Sequence, residues 1–267
     1  MNLPPRTETV VVGGGQAGLA MSHYLAQAGR EHIVLERRPT LGGGWQDRWD
    51  AFRLVSPNFT TSLPGYPYDG PDPDGFMPRD EMVSRVAGYA DRVGAPVVRD
   101  AEVNRLSGRP GGGFRLNTNQ GVIEADEVVV ATGGFHVPKV PAIAEQLPAM
   151  AQTHSHDYRN VSSLPEGAVL IVGSGQSGVQ IAEELVEAGR EVYLSVGSAG
   201  RVPRRYRGRD IFRWLAAVAT DGRNFGFEMP SVDRMPDPRL RLSGNPHLSG
   251  HHGGHETNLR RFAAEKG

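Results

Sequence analysis

Two hexapeptides in this chain have the residue types and spacing of a phosphate cradle: Gly13-Gly14-Gly15-Gln16-Ala17-Gly18 and Gly173-Ser174-Gly175-Gln176-Ser177-Gly178. In such a turn the first glycine (Gly13, Gly173) permits a tight reversal. The second (Gly15, Gly175) lets the backbone approach a pyrophosphate, and the third (Gly18, Gly178) lets a helix pack closely on a strand. A helix starting there offers unsatisfied N–H groups and positive partial charge to the phosphates. Glu36, about 20 residues past the first glycines, suits a hydrogen bond to a ribose hydroxyl. The second stretch ends instead in Ser195-Val196-Gly197, with Arg201, Arg204, Arg205, Arg207 and Arg209 beyond it. A carboxylate would repel a 2′-phosphate and a guanidinium clamps one. Arg204 and Arg205, with Ser195 as a further hydrogen-bonding group, therefore predict NADPH at the second site, although a solvated basic loop would carry the same arginines.

The elements needed to hold these turns lie on either side of them. Val10-Val11-Val12 reads as a buried parallel strand, Leu19 to Gln27 as a helix stopped by Gly29, and Ile33 to Leu35 as a second strand. The stretch from Ala168 repeats this order at a constant offset, pairing Gly13 with Gly173, Gly15 with Gly175, Gly18 with Gly178 and Gly29 with Gly189. The chain thus carries two dinucleotide-binding units.

Between them, Leu41-Gly42-Gly43-Gly44-Trp45 suits a backbone pressed against a flat ligand, although a flexible glycine loop fits the stretch equally well. Residues 46–78, rich in proline and aromatics, form a long excursion of a kind that is usually functional. A helix is expected over Asp80 to Val93, ended by Gly94. Residues 96–131 read as a strand meander through Val97-Val98, Val103 to Leu106, Phe114 to Asn117 and Val122-Ile123. It closes on an apolar strand running into Ala131-Thr132-Gly133, whose end would return to the same sheet near the cofactor. Pro138, Pro141 and Pro148 mark a linker, dividing the chain into domains 1–162 and 163–267. Glu256 to Lys266 reads as a short final helix.

Composition narrows the function. The 267 residues carry a formal net charge of -1, which suggests neither a nucleic-acid nor an anionic-membrane partner. With no cysteine among them, thiol redox chemistry and Cys-ligated metal centres are excluded from these residues. No apolar run approaches the roughly 20 residues of a membrane span, and a cytoplasmic location is expected. His247, His251, His252 and His255 are close in sequence but lie on a glycine loop without helical spacing or an evident carboxylate partner, so no metal site is predicted. Nor is there a Ser/His/Asp or paired-carboxylate constellation; a bound cofactor would carry the chemistry.

Together GGGQAG, the GGGW turn, VVVATG and GSGQSG resemble the flavin-containing monooxygenase-like family, bacterial branch, which includes single-chain flavoproteins related to Baeyer–Villiger and N-hydroxylating monooxygenases. The resemblance covers essentially the whole chain. It implies an α/β fold of two Rossmann-like units, three-layer ββα type, with a β-meander in the first. FAD would bind the first unit and NADPH the second. The implied FAD contacts are Gly13, Gly15, Gln16, Ala17, Gly18, Glu36, Arg37, Gly43, Gly44, Trp45, Val103, Ala131, Thr132 and Gly133. Those for NADPH are Gly173, Ser174, Gly175, Gln176, Ser177, Gly178, Ser195, Arg204 and Arg205. Asn58, after Ser56-Pro57, looks like the family's asparagine near the flavin and is the candidate catalytic residue; an Asx-turn explains it equally well.

The family's linker fingerprint is matched at His154 and Tyr158, whereas Pro148 and Met150 stand where Phe and Gly are expected. That departure weakens assignment to a strict monooxygenase subgroup. Family members also usually continue well past the NADPH unit, so the chain reads as C-terminally short, which would leave flavin weakly held. The implied activity is transfer of one oxygen atom from molecular oxygen to a small organic substrate. The alternatives are a reductase passing electrons to a quinone or protein acceptor, and a nucleotide-binding fragment without turnover. Oligomeric state is not encoded in any motif found.

Overall fold

The computed structural model describes residues 3–147, 150–197, 200–221, 231–234, 237 and 247–266. They form two compact units. The first comprises Met1–Trp49, Thr61–Asp69 and Pro78–Asp157; the second comprises Asp50–Thr60, Gly70–Met77 and Tyr158–Gly267. The expected boundary at 162/163 thus shifts to 157/158, and two pieces of the aromatic excursion belong to the second unit. Pro148, expected in the linker, lies outside the described residues.

The first unit is built on β1 (Arg6–Val12), α1 (Gln16–Gln27), β2 (His32–Leu35), α2 (Arg79–Val93), β3 (Val97–Val98), β4 (Val103–Gly108), β5 (Phe114–Thr118) and β6 (Gly121–Val130). Its sheet has the order β3-β2-β1-β6-β5-β4. Strands β3, β2, β1 and β6 are parallel neighbours in turn, while β6, β5 and β4 pair antiparallel. The triplet Val10-Val11-Val12 lies at the centre, and adjacent side chains on a strand point to opposite faces. Val10 packs with Ile33, Leu35, Leu116 and Ile123 on one face, and Val11 with Leu25 and Val34 on the other. Burial on both faces is why this strand reads as an unbroken apolar run.

Two details differ from expectation. Val97-Val98 is a parallel edge strand beside β2 and no part of the meander. The stretches expected as two strands, around Val122 and around Val129, are one ten-residue β6. Helix α2 forms where Met82, Val86, Tyr89 and Ala90 recur on one face, and it stops at Gly94 with a left-handed φ of 61°.

The second unit contains β7 (Val169–Val172), α3 (Gln176–Glu187), β8 (Val192–Ser195), β9 (Arg205–Tyr206), β10 (Arg209–Asp210), α4 (Ile211–Asp221), β11 (Leu248–Ser249), β12 (His255–Glu256) and α5 (Leu259–Lys266). Strands β7 and β8 pair in parallel. Their α3-facing side chains are half-buried, while Leu170, Val172 and Tyr193 on the opposite face are exposed. Helix α3 buries Val179, Ile181, Ala182 and Leu185. Helix α4 has no counterpart in the sequence reading, and α5 starts three residues later than expected because His255 and Glu256 pair with β11.

Candidate dinucleotide-binding sites

In the first unit, β1 delivers Gly13 at φ 110°, a conformation closed to L side chains, and a Cβ there would overlap the carbonyl oxygen of Ala131. The turn is pinned from both sides: Gly13 N–H donates to Leu35 O (2.8 Å) and Ala131 N–H to Val12 O (2.8 Å). A Cβ on Gly18 would overlap the Gly13 carbonyl, so α1 can approach only as glycine. The VVVATG strand therefore returns to the sheet beside β1 and abuts the glycine turn through Ala131.

Helix α1 starts at Gly15 with no side-chain cap and no acidic residue in its first turn. Its first intrahelical bond is Leu19 N–H to Gly15 O (3.0 Å). The amides of Gln16, Ala17 and Gly18 consequently have no acceptor within the helix, and this N-terminus suits an anion. Glu36, 6% exposed, holds the turn: Oε2 accepts from Gly14 N–H (2.8 Å) and Oε1 from Arg38 N–H (3.0 Å). Each carboxylate oxygen keeps a second lone pair for a hydroxyl.

The GGGW stretch folds into a 3-10 turn, Gly43–Asp47. A Cβ on Gly43, at φ 57°, would stand 3.0 Å from Gly15 Cα, so two side-chain-free backbones meet there. Arg38 secures the approach by donating to Gly43 O (3.0 Å) and Asp47 Oδ2 (2.6 Å). Arg37, the expected contact, is exposed, and Arg38 beside it organises the turn. The only local signal was the Arg-Arg pair after Glu36. Gly44, Thr132 and Gly133 are exposed, Trp45 and Ala131 are partly buried, and Val103 packs against the meander's core.

The second glycine turn repeats this frame. Gly173 has φ 107° and donates its N–H to Ser195 O (3.1 Å), and α3 starts at an uncapped Gly175 with Val179 N–H to Gly175 O at 3.0 Å. Gln176, Ser177 and Gly178 stand where Gln16, Ala17 and Gly18 stand in α1. By this register the counterpart of Glu36 is Val196, which is exposed. The tie made by Glu36 in the first unit is made here by Ser174, whose Oγ accepts from Gly197 N–H (2.8 Å). Ser195 is exposed at the end of β8.

The arginines do not lie where the spacing suggested. Arg204 is 3% exposed; its Nε binds Asp210 Oδ2 (2.6 Å), its Nη1 binds Val55 O (2.7 Å), and its guanidinium stacks on the Phe76 ring. Burial lowers its pKa, against the raising effect of Asp210. Arg205 donates to the carbonyls of Gly253 and Gly254. Arg204 thus serves the fold, whereas Arg205 is exposed and keeps guanidinium N–H groups beyond these two bonds. Arg201 remains half-exposed, with a 4.0 Å ion pair to Glu256.

Asn58 is buried in the second unit. Its Nδ2 donates to Asp72 O (2.9 Å) and its Oδ1 accepts from Met77 N–H (2.7 Å), so the amide fixes the Asp72–Met77 loop through bonds 14 and 19 positions away, which are not those of a local Asx-turn. Tyr158 of the linker fingerprint is 2% exposed and faces Glu184 of α3. Burial raises both groups, and the neighbouring Glu184 carboxylate raises the phenol further.

The histidine loop does have carboxylate partners, supplied by α3. His255 Nε2 meets Glu183 Oε1 at 2.7 Å, Ser249 Oγ donates to Glu183 Oε2 at 2.8 Å, and His252 Nε2 meets Glu187 Oε1 at 2.8 Å. The hydrogen bond to Glu183 raises the His255 pKa, while burial lowers that of His251. Burial alone would raise Glu183, but its bonds from His255 and Ser249 hold it below the ordinary range. Among the described residues no group of three or more His, Cys, Asp or Glu is placed to hold a metal ion.

A family model described as pyridine nucleotide-disulphide oxidoreductase matches residues 10–215, from β1 through both glycine turns into α4. Over 210 residues the chain is 40% identical to an oxidoreductase of Geobacillus kaustophilus described as CzcO-like, covering 78% of this chain and 60% of that protein. It is 32% identical over 231 residues to indole-3-pyruvate monooxygenase YUCCA1 of Oryza sativa subsp. japonica, covering 79% and 55%. Among solved structures, a flavin-containing monooxygenase from Stenotrophomonas maltophilia superimposes with a TM-score of 0.68 at 25% identity, covering 96% of this chain and 76% of that one. The chain thus spans less than two thirds of the length of these curated relatives.

Proposed function

Because the chain belongs to the pyridine nucleotide-disulphide oxidoreductase family, we propose that it is a flavin-dependent oxidoreductase binding FAD at the first glycine turn and NADPH at the second. The observation that carries this reading is the pair of uncapped helices, α1 and α3, each opening at a glycine from a glycine-rich turn at a strand end. The two turns differ in the expected way: a buried Glu36 closes the first, and no acid stands at Val196 in the second.

Gln16, Ala17 and Gly18 would bind the FAD pyrophosphate through their amides, Glu36 the ribose, and Gly43, Gly44 and Trp45 would line the approach. Gln176, Ser177 and Gly178 would bind the NADPH pyrophosphate in the same manner. Since Arg204 is buried against Asp210, the 2′-phosphate would fall to the exposed Arg201 and Arg205. When bound, the flavin supplies electron transfer from reduced nicotinamide and reaction with oxygen. The family's name points to disulphides, but these residues contain no cysteine for a redox dithiol. The likeness to proteins described as monooxygenases favours transfer of one oxygen atom to a small organic substrate.

Anaerobic absorption spectroscopy of the protein loaded with FAD tests the first half: NADPH should bleach the flavin bands, and NADH should do so less well. With air admitted, an oxygenated product from a panel of ketones, sulfides and amines supports the monooxygenase assignment. Hydrogen peroxide as the sole product would replace it with a reductase.

A further inference from the structure

His247 lies far in sequence from the second glycine turn, is 4% exposed, and has no role in the nucleotide reading so far. Its ring Nε2 is 2.6 Å from the backbone carbonyl oxygen of Ser174. A carbonyl only accepts, so Nε2 carries the proton in this bond. Its own N–H donates to Gly200 O (3.1 Å), and its carbonyl accepts from Thr257 N–H (3.0 Å). One residue therefore connects the glycine turn, the loop leading into Arg201, and the chain that follows β12.

The bond to Ser174 acts on the peptide that opens α3, whose first amides would meet the phosphates. The Ser174–Gly175 peptide is planar and trans, so its C=O and N–H point in opposite directions. Fixing the carbonyl on His247 aims the Gly175 N–H away from the histidine. Ser174 is held again at its side chain by Gly197 N–H, which leaves this peptide little freedom to rotate. In the first unit Glu36 ties the turn through Gly14 N–H; here the Ser174–Gly197 bond makes that tie and His247 adds a second hold on the same residue.

We propose that His247 is a positioning residue of the second nucleotide site, orienting the Ser174–Gly175 peptide and anchoring the Gly200–Arg201 loop. This rests on the NADPH reading of that turn. It predicts that the adenosine 2′-phosphate end of the dinucleotide is bound more weakly once the His247 bond is lost.

The test is calorimetric titration of the full chain with 2′,5′-ADP, which needs neither flavin nor turnover. Wild type should bind. His247→Ala should bind about tenfold more weakly, the effect of one lost buried hydrogen bond. His247→Gln, whose Nε2–H can occupy the place of the imidazole N–H, should stay within about twofold of wild type. In turnover, KM for NADPH should rise in the alanine variant with kcat unchanged.

A folded alanine variant that binds like wild type overturns the proposal, as does a glutamine variant as weak as alanine. If the alanine variant does not fold, His247→Asn decides: its shorter amide falls short of Ser174, and affinity equal to that of His247→Gln overturns the role. Failure of wild type itself to bind 2′,5′-ADP would instead remove the NADPH reading, and the proposal with it.

Discussion

The two glycine turns share a backbone but not a neighbourhood, and that difference predicts unequal responses to the same substitution. Gly13 has φ 110° and Gly173 has φ 107°. Alanine at either site adopts a conformation that costs on the order of 1–3 kcal/mol. At Gly173 the added methyl meets nothing within 4 Å, so strain is the whole cost. At Gly13 the methyl also overlaps the Ala131 carbonyl, and Thr132 Cα would lie 3.3 Å away, so β6 must move; overpacking of this kind adds about 1–3 kcal/mol. The reduced entropy of the unfolded chain offsets about 0.4–1 kcal/mol in both variants and cancels in the comparison. Gly13→Ala should therefore destabilise its unit by roughly 1–3 kcal/mol more than Gly173→Ala destabilises the other. Urea unfolding followed by tryptophan fluorescence reads both: Trp45 and Trp49 lie in the first unit, and Trp214 lies in the second. Equal losses, or a larger loss for Gly173→Ala, would refute the assignment of Ala131 as the obstructing group.

Three further outcomes are expected. Asp210→Ala leaves the buried Arg204 guanidinium without its carboxylate, and unfolding of the second unit should become easier by about 3–5 kcal/mol in urea titrations. Glu36→Ala strips the acceptors from Gly14 and Arg38 N–H, each bond to a charged group contributing about 1.5–3 kcal/mol, so FAD content per chain should fall sharply at matched expression. The Glu183–His255 pair makes stability depend on pH at both ends. His255 is raised in the folded state, so its contribution is full below its unfolded pKa and is lost as pH rises through the folded value; Glu183 is lowered, so its contribution is present above its unfolded pKa and is lost as pH falls through the folded value. His255→Ala should flatten the alkaline limb of a melting temperature–pH curve, and an unchanged limb would show that the pair is not the source.

What the sequence alone determined is what local chemistry can specify. Glycine spacing, an apolar triplet before each turn and an acid after one of them imply two strand–turn–helix units, because each feature acts within its own neighbourhood of chain. Helix α2 was legible for the same reason: its apolar stripe and Gly94 need no distant partner. The uses of side chains that reach across the chain were not legible. Nothing in the run Arg201 to Arg209 reveals that Arg204 is buried against Asp210 and Val55, since that depends on where residues 149 positions away come to lie. Arg37 and Arg38 are alike in sequence, yet Arg38 reaches Gly43 O and Asp47 while Arg37 is exposed, and Asn58 is held by Asp72 and Met77, 14 and 19 positions away. His247 and Ser174 lie 73 positions apart, a contact that no periodicity encodes. Sequence set the positions of the phosphate-binding turns, and tertiary structure decided which side chains were left free to serve them.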